Sequence, residues 1–203
     1  MQTRLPFLLS LLGAAAFIVG CSSEPQNKQT ADTMTDSAKT TVQKFEDKDP
    51  SLQNVLSNSA GYAAFPSVGK GGFIVGAAYG KGTVFERGHV VGYADMKQGS
   101  VGLQAGGEDY AELIVFRDQA SLDKFRTGNY ALSAEASAVA LKAGAAANAD
   151  FKEGVAVFTM TNSGLMAEAA VAGQKFGYTP KDQVGNGHTE TTETHTTTTT
   201  QNP

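Results

Sequence analysis

The sequence predicts an α+β fold: a predominantly antiparallel, Gly-rich twisted sheet or barrel-like meander, with two short N-terminal helices and one helix near 118–126. Two observations predict it. Thirteen of the 23 glycines fall between Gly61 and Gly107, and the segments between them are short and rich in Val, Ile, Phe and Tyr, as strands separated by tight turns are. The clear helical spacings lie before Gly61 and just after Phe116. Residues 38–180 hold 13 Lys+Arg and 14 Asp+Glu, a near-neutral window of ordinary size for one domain.

The chain opens with MQTRLPFLLSLLGAAAFIVG, residues 1–20, in which Arg4 precedes a run of apolar and small residues. That run is short for a membrane span and reads as a secretory signal. It ends in IVGC, which resembles the bacterial lipobox. Cys21 is the only cysteine, so it forms no internal disulfide. The resemblance implies a lipidated Cys21, with a diacylglyceryl group on the thiol and a third, palmitate-like chain on the new N-terminus. The alternative is an ordinary signal peptide cleaved nearby, leaving a spare thiol. Each buried methylene contributes about 0.8 kcal/mol, so several acyl chains would hold the protein at a membrane permanently. Ser22 in place of Asp after the cysteine favours, by resemblance to enterobacterial sorting, the outer membrane facing the periplasm. Residues 21–37 then read as lipidated cysteine and disordered tether, since SSEPQNKQTADTMTDS offers almost nothing to bury.

SAKTTVQKFEDKD carries Val42 and Phe45 three apart, and DPSLQNVLSNSAG has Asp49 as N-cap with Pro50 at the first helical position. Leu52, Val55 and Leu56 share a face and Gly61 stops the helix. These two helices either pack on the sheet or lean into a bilayer. YAAFPSV, FIVGAAY, GTVFE, HVVGYADM, SVGLQAG and YAELIVF follow as strands. YGKGT and ERGHV suit hairpin turns. Gly76, Gly92 and Gly102 sit inside strands and imply bulges, coiling or close backbone approach. RDQASLDKFRTG is a helix capped by Asp118, with Leu122 and Phe125 inward and Gly128 closing it. YALSAEASAVALKAGAAANAD fits either a helix, by its alanines, or a strand, by its alternation. VAVFTMTNSGLMAEAAVAGQKFGY supplies two or three strands broken by a turn at Asn162–Gly164. From 181 the chain reads as a disordered Thr-rich tail, with nine threonines between Thr189 and Thr200. His188, His195, Glu190 and Glu193 there lack a fixed second shell, so no metal site is expected.

No catalytic constellation is legible. His89, beside Gly88, is a turn or surface residue, and Glu108 and Asp109 are neighbours that fall on opposite faces of a strand. There is no G-x-S-x-G, no H-E-x-x-H and no second cysteine. The stretch PSVGKGGFIVGAAYGKG also fails the nucleotide motifs. Ala64 stands where a Walker A loop needs its first glycine, and Ile74 where a dinucleotide loop needs its last. A nest of glycine amides with Lys70 and Lys81 would still suit a phosphate or head group. Gly71, Gly72, Lys70 and Lys81 are thus candidates for a polar lipid site, with Phe73 and Tyr79 as apolar contacts. No basic stripe points to nucleic acid.

GYAAFPSVGKGGFIVGAAYGKGTVF, GYADMKQGSVGLQAGGEDYAELIVF and SGLMAEAAVAGQK together resemble the SYLF domain over about residues 40–178. That family includes bacterial secreted proteins and lipoproteins and eukaryotic proteins tied to actin patches and phosphoinositide membranes. The resemblance implies a non-enzymatic lipid- or membrane-binding module without a cofactor, and favours strands after Tyr130. Eukaryotic members use an N-terminal amphipathic helix and basic residues. Here Glu46, Asp47 and Asp49 oppose Lys39, Lys44 and Lys48, so a general phospholipid or acyl ligand is expected instead of a phosphoinositide. The competing expectation is an envelope scaffold that binds a protein or peptidoglycan, with all membrane affinity supplied by the anchor.

Overall fold

The computed structural model describes residues 28–71, 75–101, 108–133, 138–161, 171 and 173–184. The expected signal, Cys21, Gly72, Phe73, Gly102, the Asn162–Gly164 turn and the chain from 185 lie outside the described residues. The fold is α+β, with one mostly antiparallel sheet curled into a half-barrel. Its strands are β1 (Gly61–Gly71), β2 (Val75–Glu86), β3 (His89–Val101), β4 (Glu108–Phe116), β5 (Tyr130–Ala131), β6 (Ala138–Ala140), β7 (Val155–Thr161) and β8 (Lys175–Pro180). Among the described residues their order is β5-β8-β3-β2-β1-β4-β7-β6, and only the β6–β7 pair is parallel.

Two cores lie on the two faces of this sheet, because successive side chains alternate. On the concave side Ala63, Phe65, Ile114 and Val157 meet Phe125, Tyr130 and Phe176. Phe125 is central there, with ring centroids 4.9 Å from Phe116, 5.6 Å from Tyr130 and 5.4 Å from Phe176. It comes from α3 (Gln119–Arg126), where Asp118 caps the helix by accepting from the Ser121 amide at 2.8 Å, and Gly128 ends it at φ +75°. On the convex side Ala64, Phe85, Leu113, Val115 and Phe158 are covered by α1 (Lys28–Lys48) and α2 (Leu52–Ser57) through Ala38, Phe45 and Leu52. Each fully buried Phe contributes about 1.5–3 kcal/mol relative to exposure.

Helix α1 differs from the sequence reading. It starts at Lys28, so residues 28–37 are helical and not tether, and it is not short. Ala31, Ala38, Val42 and Phe45 form one buried stripe, and the Tyr93 hydroxyl donates to the Ala31 carbonyl at 3.4 Å. A stripe built partly from alanine, threonine and a distant tyrosine gives little hydropathy signal. Asp49 also acts differently from a simple N-cap. Its carboxylate accepts from the Ser51 amide (3.1 Å) and hydroxyl (2.7 Å), and from the Gly144 (2.9 Å) and Ala146 (2.7 Å) amides. It thereby joins the α1–α2 corner to the Ala-rich segment. Burial alone would raise this carboxyl, but those hydrogen bonds outweigh it and hold it below its ordinary value.

The ERGHV turn is a two-residue hairpin with positive φ at Arg87 (50°) and Gly88 (79°). YGKGT, by contrast, is not a turn: β2 runs unbroken through it. A side chain at Gly82 would place its Cβ 2.7 Å from the Phe65 ring, and at Gly80 2.9 Å from Val68. These glycines make room for the concave core. Gly92 fulfils its expected role twice, beside a register shift in β2–β3 and under the Tyr178 ring. β1 bulges at Pro66–Ser67, between Phe65 and Val68, which both face the concave core. The Ala-rich stretch gives β5, β6 and a 3₁₀ turn at Ala146–Asn148 in place of a long helix. A second 3₁₀ turn, Lys181–Gln183, extends the ordered chain past the expected end of the domain at 180.

Candidate functional site

On the convex face the register sets one row of residues across five strands: Asp109, Gly69, Tyr79, Lys97 and Lys175. The next row pairs Lys81 with Asp95 and Asp95 with Gly177. Side chains directly opposite in an antiparallel pair stand about 5 Å apart at Cβ, so each row is a set of true neighbours. Tyr79 is 39% exposed, so its ring lies at the surface of this row.

Two cavities adjoin at Tyr79. One, of about 400 Å³, lies between α1 and the outer side of β1–β2, lined by Thr33, Met34, Pro66, Ser67, Tyr79 and Lys81 among others. The second, of about 610 Å³, crosses β2, β3 and the start of β8, with Ala77, Gly99 and Gly173 as small residues and Tyr79, Lys97 and Lys175 around them. A Cβ added at Gly99 or Gly173 would meet nothing within 4 Å. Tyr79 is the shared wall. The pair of cavities therefore has an apolar, hydroxyl-fringed end beneath α1 with Lys81 in its lining, and an end over glycine that carries Lys97 and Lys175.

Of the residues expected at the site, Tyr79 and Lys81 are brought together with α1. Lys70 falls opposite Ala78 and Glu108 in register, and Gly71 opposite Ala77. Gly72 and Phe73 lie outside the described residues. Sequence reasoning missed Met34, Pro66, Lys97 and Lys175. Nothing local marks the two lysines, since only the β2–β3–β8 register sets them beside Tyr79.

Chemistry on the concave side is of a different kind. Glu112 is fully buried, its carboxylate accepting from the Gln174 amide at 2.9 Å, and Gln174 also donates to the Tyr110 hydroxyl at 3.3 Å. Burial first, then the Glu112 charge, pushes the Tyr110 hydroxyl far above its ordinary value. Because β4 and the start of β8 are not sheet neighbours, this contact ties the half-barrel across its concave side. Among the described residues no three His, Cys, Asp or Glu cluster as metal ligands, and no helix is long and apolar enough to cross a membrane.

Beta cell expansion factor A of Aeromonas veronii is 29% identical to the chain over 141 residues, 68% of this chain and 53% of that protein. The match thus spans about half the relative's length. Residues 97–182, which contain Lys97, Glu112, Gln174 and Lys175, match the Ysc84 (SYLF) family, described as Las17-binding protein actin regulator.

Proposed function

We propose that the protein is a lipid-anchored envelope lipoprotein of the bacterial outer membrane, facing the periplasm, whose folded domain binds a phospholipid or other acyl ligand without catalysis. The observation that carries this reading is the pair of adjoining cavities at Tyr79. Cavities of 300–1,000 Å³ with apolar walls and a few polar groups suit small amphiphiles. Here Met34, Pro66 and Tyr79 line one cavity together with Lys81, and beyond Tyr79 the second carries Lys97 and Lys175. An acyl chain beneath α1 and a head group beyond Tyr79 fit that polarity. The family match on 97–182 agrees with a general lipid-binding role. The cavities favour this role over an actin-linked one.

Acylation of Cys21 supplies the anchor in this reading. A fatty-acid analogue should label the wild-type chain and not Cys21→Ser. Lipid extracted from the purified Cys21→Ser protein and weighed by mass spectrometry tests the domain itself. A stoichiometric amphiphile is expected. A protein free of lipid that instead captures an envelope protein or peptidoglycan would move the reading to a scaffold.

A further inference from the structure

We propose that Lys97 and Lys175, with Tyr79 at the rim and Gly99 and Gly173 beneath, form a binding site for the phosphate group of an organic phosphate. The head-group part of this inference rests on the lipid reading above, whereas the phosphate site does not require it. Lys97 and Lys175 are directly opposite in the β3–β8 pair, and like charges so placed cost stability. Asp95 offsets this only in part. Its Oδ2 pairs with the Lys97 ammonium at 3.3 Å, and it also stands opposite Lys81. Among the described residues no carboxylate pairs with Lys175. Among the described residues Lys97 and Lys175 have the one carboxylate of Asp95 beside them, which leaves the pair with a net charge of +1. Asp109, the other acid of the row, lies beyond Tyr79 and over Gly69.

The space over the glycines gives the charge a shape. Gly99 is strand backbone with open volume where a side chain would stand, and Gly173 adds the same opening at φ +75°. The space of about 610 Å³ is an open groove that extends beyond a phosphate's own footprint, so it has room for an organic substituent on the phosphate. Lysine ammoniums bind such groups as point charges, bridging two oxygens without demanding one planar geometry. Tyr79 offers its ring to the substituent on the side leading to α1.

The test titrates the full chain with Cys21→Ser, held in an uncharged detergent, against inorganic phosphate, glycerol 3-phosphate, dihexanoylphosphatidylglycerol and an uncharged monoacylglycerol. The variants are Lys97→Ala/Lys175→Ala, Lys97→Arg/Lys175→Arg, the distant control Lys142→Ala, and Gly99→Val, whose Cβ enters the opening with no described atom within 4 Å. The site predicts binding of the phosphatidylglycerol weakened roughly tenfold or more by the double alanine variant and by Gly99→Val. The arginine variant and Lys142→Ala should bind as wild type, with thermal midpoints close to wild type throughout. If glycerol 3-phosphate binds as tightly as the phospholipid with the same variant dependence, the site stands and its ligand is a soluble phosphate ester. If phospholipid and monoacylglycerol both bind but the double alanine variant changes neither, the phosphate site is overturned while the lipid reading survives. Binding of no phosphate-bearing probe overturns the site as well.

Discussion

The carboxylate of Asp49 accepts four hydrogen bonds, two of them from Gly144 and Ala146 far along the chain. Hydrogen bonds to a buried charge are worth about 1.5–3 kcal/mol each when one partner is lost. Asp49→Asn, which keeps only part of the acceptor set, should lower the unfolding free energy by about 1–3 kcal/mol at pH 7. Its folded pKa lies below the unfolded one, so its contribution is full above the unfolded pKa and fades as pH falls through the folded value. Urea midpoints of wild type and Asp49→Asn should therefore differ at pH 7 and converge below about pH 4. A gap that stays constant or widens in acid would contradict this assignment. A second test belongs to Gly92, where a Cβ would sit 2.5 Å from the Tyr178 ring and 2.6 Å from the Thr179 carbonyl. Gly92→Ala should cost about 1–3 kcal/mol by urea denaturation, because the ring and its hydrogen bond to the Val91 carbonyl must move.

Among the elements, α3 and the β2–β3 hairpin were legible because their determinants are adjacent in sequence. Asp118 and Gly128 bracket α3, and Arg87-Gly88 supplies two positive φ values within two residues. The N-terminal half of α1 was not legible, since it is held from β3 by Tyr93 and buries alanine where hydropathy looks for larger residues. β2 was misread at YGKGT because glycine serves turns and close packing alike, and only the partner strand shows which. The site divides the same way. Tyr79 and Lys81 lie in a recognisable glycine-rich segment, but Lys97 and Lys175 join them only through register. Helix α1 makes its own prediction. Met34 is half-buried beside the smaller cavity, so Met34→Asp should weaken association of the Cys21→Ser chain with vesicles several-fold while leaving the thermal midpoint within a few degrees. An equal loss of fold and binding would place Met34 in the core instead.

At the scale of the whole molecule, the half-barrel is drawn together by the Phe125 aromatic cluster and by the Glu112–Gln174 contact across its concave side. Glu112→Ala would leave the buried Gln174 amide without that acceptor and should cost about 2–4 kcal/mol, measured by urea denaturation. Glu112→Gln, which preserves an acceptor and removes a buried charge, should cost far less. A charged letter within YAELIVF gave no sign of this role, because its partner lies on a segment that only the curl of the sheet brings near. The same curl leaves the convex face open beside α1, and there the molecule has its adjoining cavities. Flotation of residues 22–203, without Cys21, with liposomes of phosphatidylethanolamine and phosphatidylglycerol tests most directly whether that face binds lipid by itself. The protein should rise with the vesicles and remain below when Lys97→Ala/Lys175→Ala and Met34→Asp are combined. An unlipidated wild-type domain that stays at the bottom of the gradient would contradict the account and leave membrane affinity to the acylated Cys21 alone.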